Sequence, residues 1–220
     1  MTLCDIGNTT FHFKIPKKEF KLSIDSSLKN ISIDGKLYFI SVNDKATKKL
    51  LKQFPNAINI KKLITFQTTY QGMGIDRKVV CSCIKNGIVV DMGSAITVDI
   101  VQNNLHLGGF ILPGIKAYQK IYPNISPKLQ FDLDTKIDLD TIPQNTHQAI
   151  NYSVLQSIVL PIKNICNKYN LPIYFTGGDM KVLESYFKTF DIKYKKNMIF
   201  KSMKKIIKRK KDVDNSTSKR

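Results

Sequence analysis

The sequence predicts an α/β protein made of two halves of like topology that face each other. Three observations carry this. Leu3-Cys4-Asp5-Ile6-Gly7-Asn8-Thr9 and Val89-Val90-Asp91-Met92-Gly93-Ser94-Ala95 share one pattern, apolar-apolar-Asp-apolar-Gly-small-small, and Asp91 follows Asp5 by 86 residues. Each copy ends a short apolar run and opens onto further strand-like segments. In each half, helical periodicity comes only after those strands.

The elements follow in order. Leu3 to Asp5 reads as a strand end, and Phe11 to Ile15 and Phe20 to Ile24 alternate as strands should. Asp34-Gly35 is a turn signal leading into a strand over Leu37 to Ile40. A helix is predicted from Asp44 to Gln53, capped near Asn43 and stopped before Pro55. In the second half, Gly87 to Asp91, Ala95 to Val101 and Leu105 to Leu112 read as three strands. A helix is expected over Ile115 to Ile121. Residues 123–144, with Pro123, Pro127 and Pro143 and many Asp, read as a loop. Thr146 to Tyr169 reads as a helix interrupted at Pro161, Pro172 to Phe175 as a buried strand, and Met180 to Phe187 as a helix. The predicted organisation is residues 1–84, residues 85–200 and a basic helix or tail over residues 201–220.

Composition narrows the class. The 220 residues are 42% hydrophobic and 24% charged, which is ordinary for a globular protein with a real core. No apolar run approaches the roughly 20 residues needed to span a bilayer, so no membrane partner is expected. Met1 to Asp5 lacks a basic or apolar leader, so no cleaved signal is expected and the cytoplasm is the predicted compartment. Cys81 and Cys83 lack paired C-x-x-C spacing, and Cys4 and Cys166 stand alone, so reduced thiols are predicted. His12, His106 and His147 show no metal-ligand spacing. The net charge of +18 is uneven. Residues 193–220 carry 12 basic and 2 acidic residues, hence +10, leaving +8 for the rest. The stretch from Lys208 onward reads as a solvated polar tail, and the aromatics do not interleave with the cations as a single-strand groove requires. Nucleic acid is therefore not the expected partner.

The chemistry suggested by the residues is phosphate handling. A carboxylate at a strand end beside a Gly turn can hold hydrated Mg²⁺ while backbone N–H groups approach phosphate oxygens. Asp5 with Gly7, and Asp91 with Gly93, both fit. Asn8, Thr9, Ser94 and Thr97 add short donors. A plain hairpin turn would use the same residues, but two copies at equivalent places favour the grip. Thr176-Gly177-Gly178 could let a base or ribose approach the backbone, and Gly108-Gly109 with Pro113-Gly114 fits tight packing of a hairpin on a helix equally well. In Gly74-Ile75-Asp76-Arg77, a carboxylate beside a guanidinium could take a proton from a substrate hydroxyl.

Taken in order, Asp5-Ile6-Gly7-Asn8-Thr9, Gly74-Ile75-Asp76-Arg77, Asp91 through Asp99, Gly108 through Gly114, and Thr176-Gly177-Gly178 resemble the type III pantothenate kinases. These belong to the actin/Hsp70/sugar-kinase superfamily and include proteins once described as Bvg accessory factors. The resemblance implies two similar ribonuclease H-like domains facing each other across an ATP cleft. It implies ATP-dependent phosphorylation of pantothenate to 4′-phosphopantothenate, the first step of coenzyme A synthesis. By that pattern Asp76 is the general base, and Gly74, Ile75, Asp76 and Arg77 line the substrate site. Asp5, Ile6, Gly7, Asn8, Thr9, Thr10, Phe11 and His12 form the first phosphate loop, with Asp5 near Mg²⁺. Ser94, where a Thr is commoner, contacts ATP. Asp91 matches a monovalent-cation position for K⁺ or NH₄⁺. Thr146 matches a threonine reaching pantothenate across a homodimer interface, and Tyr70 a substrate-side tyrosine. The first domain is short, which implies trimmed outer helices. Kinase action on another small hydroxyl compound and a non-enzymatic nucleic-acid-binding regulator are the alternatives. An Hsp70- or actin-like ATPase is disfavoured by length.

Overall fold

Alternating apolar residues and tight turns build the first sheet. In the computed structural model, which describes the backbone of residues 1–217 and the side chains of residues 1–212, the chain divides into two compact units. One is Met1–Ile84 with the segment from Asn197 onward, and the other is Lys85–Lys196.

In the first unit, β1 (Thr2–Ile6), β2 (Thr10–Lys14) and β3 (Glu19–Ser23) form an antiparallel meander. β4 (Leu37–Ser41) and the short β5 (Ile58–Asn59) add in parallel on the other side of β1, for the order β3-β2-β1-β4-β5. Period-two alternation splits the side chains between two faces. Cys4, Ile6, Phe11, Phe13 and Phe39 point into one core, closed by Ala46 and Leu50 of α1 (Asp44–Gln53) and by Leu28. Leu3, Tyr38 and Ile40 point into the other. That second core is closed by Ile75 and Val79 of α2 (Ile75–Cys81), by Ile60 of a 3-10 turn, and by Phe200, Met203, Ile206 and Ile207 of α5 (Met198–Thr217).

α1 has the predicted bounds, and the Asn43 side chain accepts from the Ala46 amide at 3.0 Å as its N-cap. The connection from β3 to β4 carries no helix among the described residues, as the shortness of this half implies. Of the helix or tail expected over residues 201–220, the described part is helix. Residues 208–217, read as solvated and frayed, continue α5, which starts at Met198 and belongs to the first unit. Its spacing of Phe200, Met203, Ile206 and Ile207 is an apolar helical stripe, which the abundance of Lys hides from a charge-based reading. The last three residues of that expected tail lie outside the described residues. A two-residue strand, β6 (Gln67–Thr68), precedes α2.

The second unit repeats the scheme. β7 (Gly87–Met92), β8 (Ala95–Gln102) and β9 (Leu105–Pro113) form the meander, and β10 (Ile173–Gly177) and β11 (Ile192–Tyr194) add in parallel beside β7. Within its six-stranded sheet the run β9-β8-β7-β10-β11 therefore copies β3-β2-β1-β4-β5. Ile88, Val90, Met92, Ile96, Val98 and Ile100 face a core covered by α4 (Thr146–Tyr169), Phe131 and Phe187.

α3 runs Ile115–Ile125, past the expected stop. Pro123 sits inside its last turn, where it lacks the amide that would donate to the carbonyl four residues back. The acidic stretch that follows is irregular but anchored. Asn151, fully buried on α4, accepts from the Asp134 amide at 2.8 Å and donates to the Asp132 carbonyl at 3.2 Å. Tyr186 Oη lies 2.9 Å from the carbonyls of Thr135 and Ile137. The helix expected over Met180 to Phe187 is instead a series of turns ending in a 3-10 turn, Glu184–Phe187, and β11 carries no expectation from the sequence. Both segments are too short for periodicity to separate helix from turn.

Candidate active site

Asp5 and Asp91 occupy matching places. Each is the penultimate residue of the first strand of its sheet, just before a glycine turn. In the first turn Ile6 lies opposite Phe11, and the Gly7 amide donates to the Thr10 carbonyl at 3.0 Å. In the second Met92 lies opposite Ile96, so the loop is one residue shorter, and the Gly93 amide donates to the Ala95 carbonyl at 3.0 Å. The first hairpin thus presents Asn8 and Thr9 at its tip, and the second presents the exposed Ser94. Thr97 lies directly across from Asp91 on the same face of the sheet.

The residues expected to form the first phosphate loop are not equivalent. Ile6 and Phe11 are fully buried, so only their backbone groups can meet a ligand. His12 lies opposite Asp5 in register, and its ring meets Glu19 and Phe200. Its Nε2 lies 3.0 Å from a Glu19 carboxylate oxygen, and its ring meets Phe200 edge-on at 4.6 Å between centroids. Lys14 Nζ approaches the other Glu19 oxygen at 3.3 Å, and Asn197 Nδ2 donates to that oxygen as well. Burial lowers the His12 pKa, an effect the Glu19 hydrogen bond opposes and nearby Lys21 reinforces. Burial pushes the Glu19 carboxyl up, but hydrogen bonds from His12 and Lys14 outweigh it and hold it low. This His12–Glu19 link ties the meander to the start of α5. The sequence hid it because Asn197 is remote along the chain.

Gly74 to Arg77 open α2, with Gly74 as the N-cap residue and Asp76 in the first turn. Asp76 Oδ1 accepts from the Arg77 amide at 2.8 Å. A Cβ on Gly74 would sit 2.5 Å from that same Oδ1, so the glycine is what leaves room for this carboxylate rotamer. Arg77 is buried, and its guanidinium carbon lies 4.8 Å above the Tyr70 ring, a cation–π contact. Tyr70 thereby supports the arginine next to the candidate base. Ile75 is a core residue and contributes position rather than contact.

Gly114 and Gly177 show why the second hairpin needs glycine neighbours. A Cβ on Gly114 would lie 2.4 Å from the Gly93 carbonyl oxygen and 2.6 Å from that of Ser94, so the start of α3 rests on the hairpin backbone. Gly177, at φ +92°, would bring a Cβ within 2.2 Å of the Met92 carbonyl oxygen and 2.6 Å of Asp91 Oδ1. Gly178 has open space around it, whereas Thr176 Oγ1 donates to the Lys195 carbonyl at 2.8 Å. Asp91 Oδ1 and the Met92 carbonyl are thus two oxygens crowded over one Cα. That suits a hard cation with oxygen ligands. Among the described residues no group of three or more His, Cys, Asp or Glu is arranged to hold a metal. Mg²⁺ takes much of its shell from phosphate and water, so it can be held with one protein carboxylate, a role open to Asp5.

Sequence reasoning missed a buried pair. His106 Nε2 lies 2.8 Å from Asp99 Oδ1, with both residues almost wholly buried beside a β-bulge in the β8–β9 pairing. Their separation of seven residues across a hairpin was the available signal. The four cysteines are free thiols, as predicted. Thr146 opens α4 and is exposed. Among the described residues no helix is long and apolar enough to cross a membrane.

Comparison with known proteins adds a consistent set of likenesses. Residues 27–168 match the family model for type III pantothenate kinase. The type III pantothenate kinase of Campylobacter jejuni subsp. jejuni serotype O:2 is 47% identical over 208 residues, covering 94% of this chain and 97% of that protein. That of Helicobacter hepaticus is 40% identical over 210 residues, covering 94% and 98%. A solved C. jejuni structure, described as a conserved Baf-family transcriptional activator candidate, superposes with a TM-score of 0.84 at 44% identity, covering 96% of this chain and all of that one. MreB 5 of Spiroplasma citri bound to AMPPNP gives a TM-score of 0.53 at 10% identity, covering 98% of each chain, a likeness of fold alone.

Proposed function

The chain belongs to the type III pantothenate kinase family, and from that footing we propose how its own residues carry out the reaction. The enzyme transfers the terminal phosphoryl group of ATP to the pantothenate hydroxyl, yielding 4′-phosphopantothenate for coenzyme A synthesis. Phosphoryl transfer depends on positioning and charge neutralisation more than on covalent help.

Asp76 is the general base. The observation that carries this is the glycine-cleared carboxylate at the start of α2, with Oδ1 held by the Arg77 amide at 2.8 Å. The carboxylate takes the hydroxyl proton late, as the new O–P bond nears completion. Arg77, stacked on Tyr70, holds the anionic end of pantothenate or orients Asp76. Asn8, Thr9 and Ser94, with the amides of the two turns, bind and orient phosphate oxygens. Asp5 would hold Mg²⁺, and Asp91 with the Met92 carbonyl would hold K⁺ or NH₄⁺. These ions supply positive charge against the phosphates. Thr146 reaches pantothenate from a second copy in a homodimer, a reading supported by its exposure and by the exposed apolar Ile121, Ile125 and Leu160 in the same unit. The enzyme works in the cytoplasm.

The test is Asp76→Asn assayed for ADP release with pantothenate and for ATP binding by calorimetry. Turnover should fall by about 10²–10⁴-fold, the worth of a general base, with ATP affinity retained. Near-normal turnover would remove Asp76 from the role.

A further inference from the structure

The charge of this protein is segregated, and its densest part is a packed helix. The first unit holds 23 Lys and Arg against 8 Asp and Glu, net +15 of the chain's +18. The second unit, with 12 against 9, holds only +3. On α5, Lys201, Lys204, Lys205, Lys208, Arg209 and Lys211 are all exposed. Phe200, Met203, Ile206 and Ile207 are buried. At 3.6 residues per turn, positions 201, 204, 205, 208 and 211 form one stripe clear of the apolar one, with the exposed Asp212 at its C-terminal end. The 3-10 turn packed beside α5 adds the exposed Lys61 and Lys62.

This arrangement works against the helix itself. Like charges at i, i+3 and i, i+4 are neighbours and destabilise a helix. Among the described residues, Lys201, Lys204, Lys205, Lys208, Arg209 and Lys211 have no carboxylate partner. A solvated tail would let such cations diverge, whereas core packing fixes these on one face.

From this face we infer that α5 is a docking surface for the phosphodiester backbone of a nucleic acid duplex, bound without sequence preference. The chemistry of the surface selects this partner. A membrane-surface helix needs an apolar face to insert, and here that face is already committed to the core. A protein interface needs a dehydrated apolar or aromatic centre, which the stripe lacks. A row of lysines with no aromatic and no amide side chain can neutralise backbone phosphates and cannot read base edges. The surface is separate from Asp5 and Asp76, though α5 shares a core with the strand and helix that carry them.

The test is fluorescence anisotropy of the full chain with two labelled duplexes of unrelated sequence, titrated at 50–200 mM KCl. Truncation is a poor probe, because removing residues 205–220 strips Ile206 and Ile207 from the core. Better is Lys201→Gln, Lys204→Gln, Lys208→Gln, Lys211→Gln combined, against a charge-matched control, Lys17→Gln, Lys21→Gln, Lys29→Gln, Lys45→Gln. The unmodified protein should bind both duplexes alike, with log K falling against log salt at a slope of about −4.5 to −5.4 for five to six phosphates. The α5 variant should lose at least tenfold in affinity at 50 mM KCl and most of that slope, with ADP release unchanged. The control should keep both. Absence of binding at 50 mM KCl, equal loss in the two variants, or tighter binding to vesicles rich in anionic lipid than to duplex would each overturn the inference.

Discussion

Gly177→Ala should damage the second hairpin more than any other single methyl group. Two costs add. The first is conformational, because a non-glycine residue at φ +92° leaves the allowed regions and costs about 1–3 kcal/mol. The second is steric. The new Cβ would lie 2.2 Å from the Met92 carbonyl oxygen and 2.6 Å from Asp91 Oδ1. Neither distance is tolerable, and the closer atom is backbone. Strand β10 must therefore move away from β7, or the end of β7 must bend, at about 1–3 kcal/mol for overpacking. Together these give about 2–6 kcal/mol, a large share of a typical stability of roughly 5–15 kcal/mol. For a chain of this size each kcal/mol shifts Tm by about 2–4 °C, so a fall of about 4–24 °C is expected by differential scanning fluorimetry. The same displacement drags the Asp91 carboxylate off its place. At a temperature where the variant is folded, activation of ADP release by K⁺ should therefore weaken by at least tenfold. A variant within 1 °C of the parent, with K⁺ activation intact, would refute both the crowding and the role of Asp91.

Three further outcomes follow from the geometry. Gly74→Ala puts a methyl 2.5 Å from Asp76 Oδ1, and that atom can swing away, so Tm should change by less than about 4 °C while kcat falls at least tenfold; an unchanged kcat would mean that the carboxylate rotamer is irrelevant. Because the folded-state pKa of His12 is lowered, the stability tied to its neutral ring is present above about pH 6.5 and is lost as pH falls below that value. Glu19, held low, adds a second loss only as pH falls below about 4.3. Tm measured against pH should decline between pH 6.5 and 5, and His12→Gln should flatten that decline; an identical profile would exclude the His12 contribution. Ile207→Ala, deep in the core under α5, should cost about 2–5 kcal/mol in urea unfolding, and a loss under 1 kcal/mol would show that α5 is not part of that core.

Much of the scaffold was legible before any coordinates. The duplicated Asp-x-Gly pattern marks two hairpins whose sheets share one strand order, since alternation and turn chemistry are local signals. The bounds of α1 were legible because Asn43 caps it through its own side chain. What failed was nonlocal. α5 was obscured because its apolar stripe is diluted by lysine, and it is recognisable only beside Leu3, Ile40 and Val79. The partners of His12 were not legible either, because Glu19, Asn197 and Phe200 gather around its ring only in the folded chain. The glycines tell a similar story. Gly74, Gly114 and Gly177 are required by carbonyl and carboxylate oxygens that only the folded chain brings near, and nothing in their neighbouring residues announces it.

The sequence discontinuity of the first unit has a consequence for how the molecule is made. Strand β1 is synthesised well before α5, and Leu3, Tyr38 and Ile40 find their cover only when Phe200, Met203, Ile206 and Ile207 arrive. Burial of those four side chains is worth at most about 6–12 kcal/mol. That is comparable with the whole stability of a domain. Lys85–Lys196 is contiguous and can close its core during translation, while the earlier half waits as an uncovered sheet. Order of synthesis and order of folding are thus reversed. A nascent chain paused after residue 196 should show a protease-resistant second unit and a still-cleavable first one.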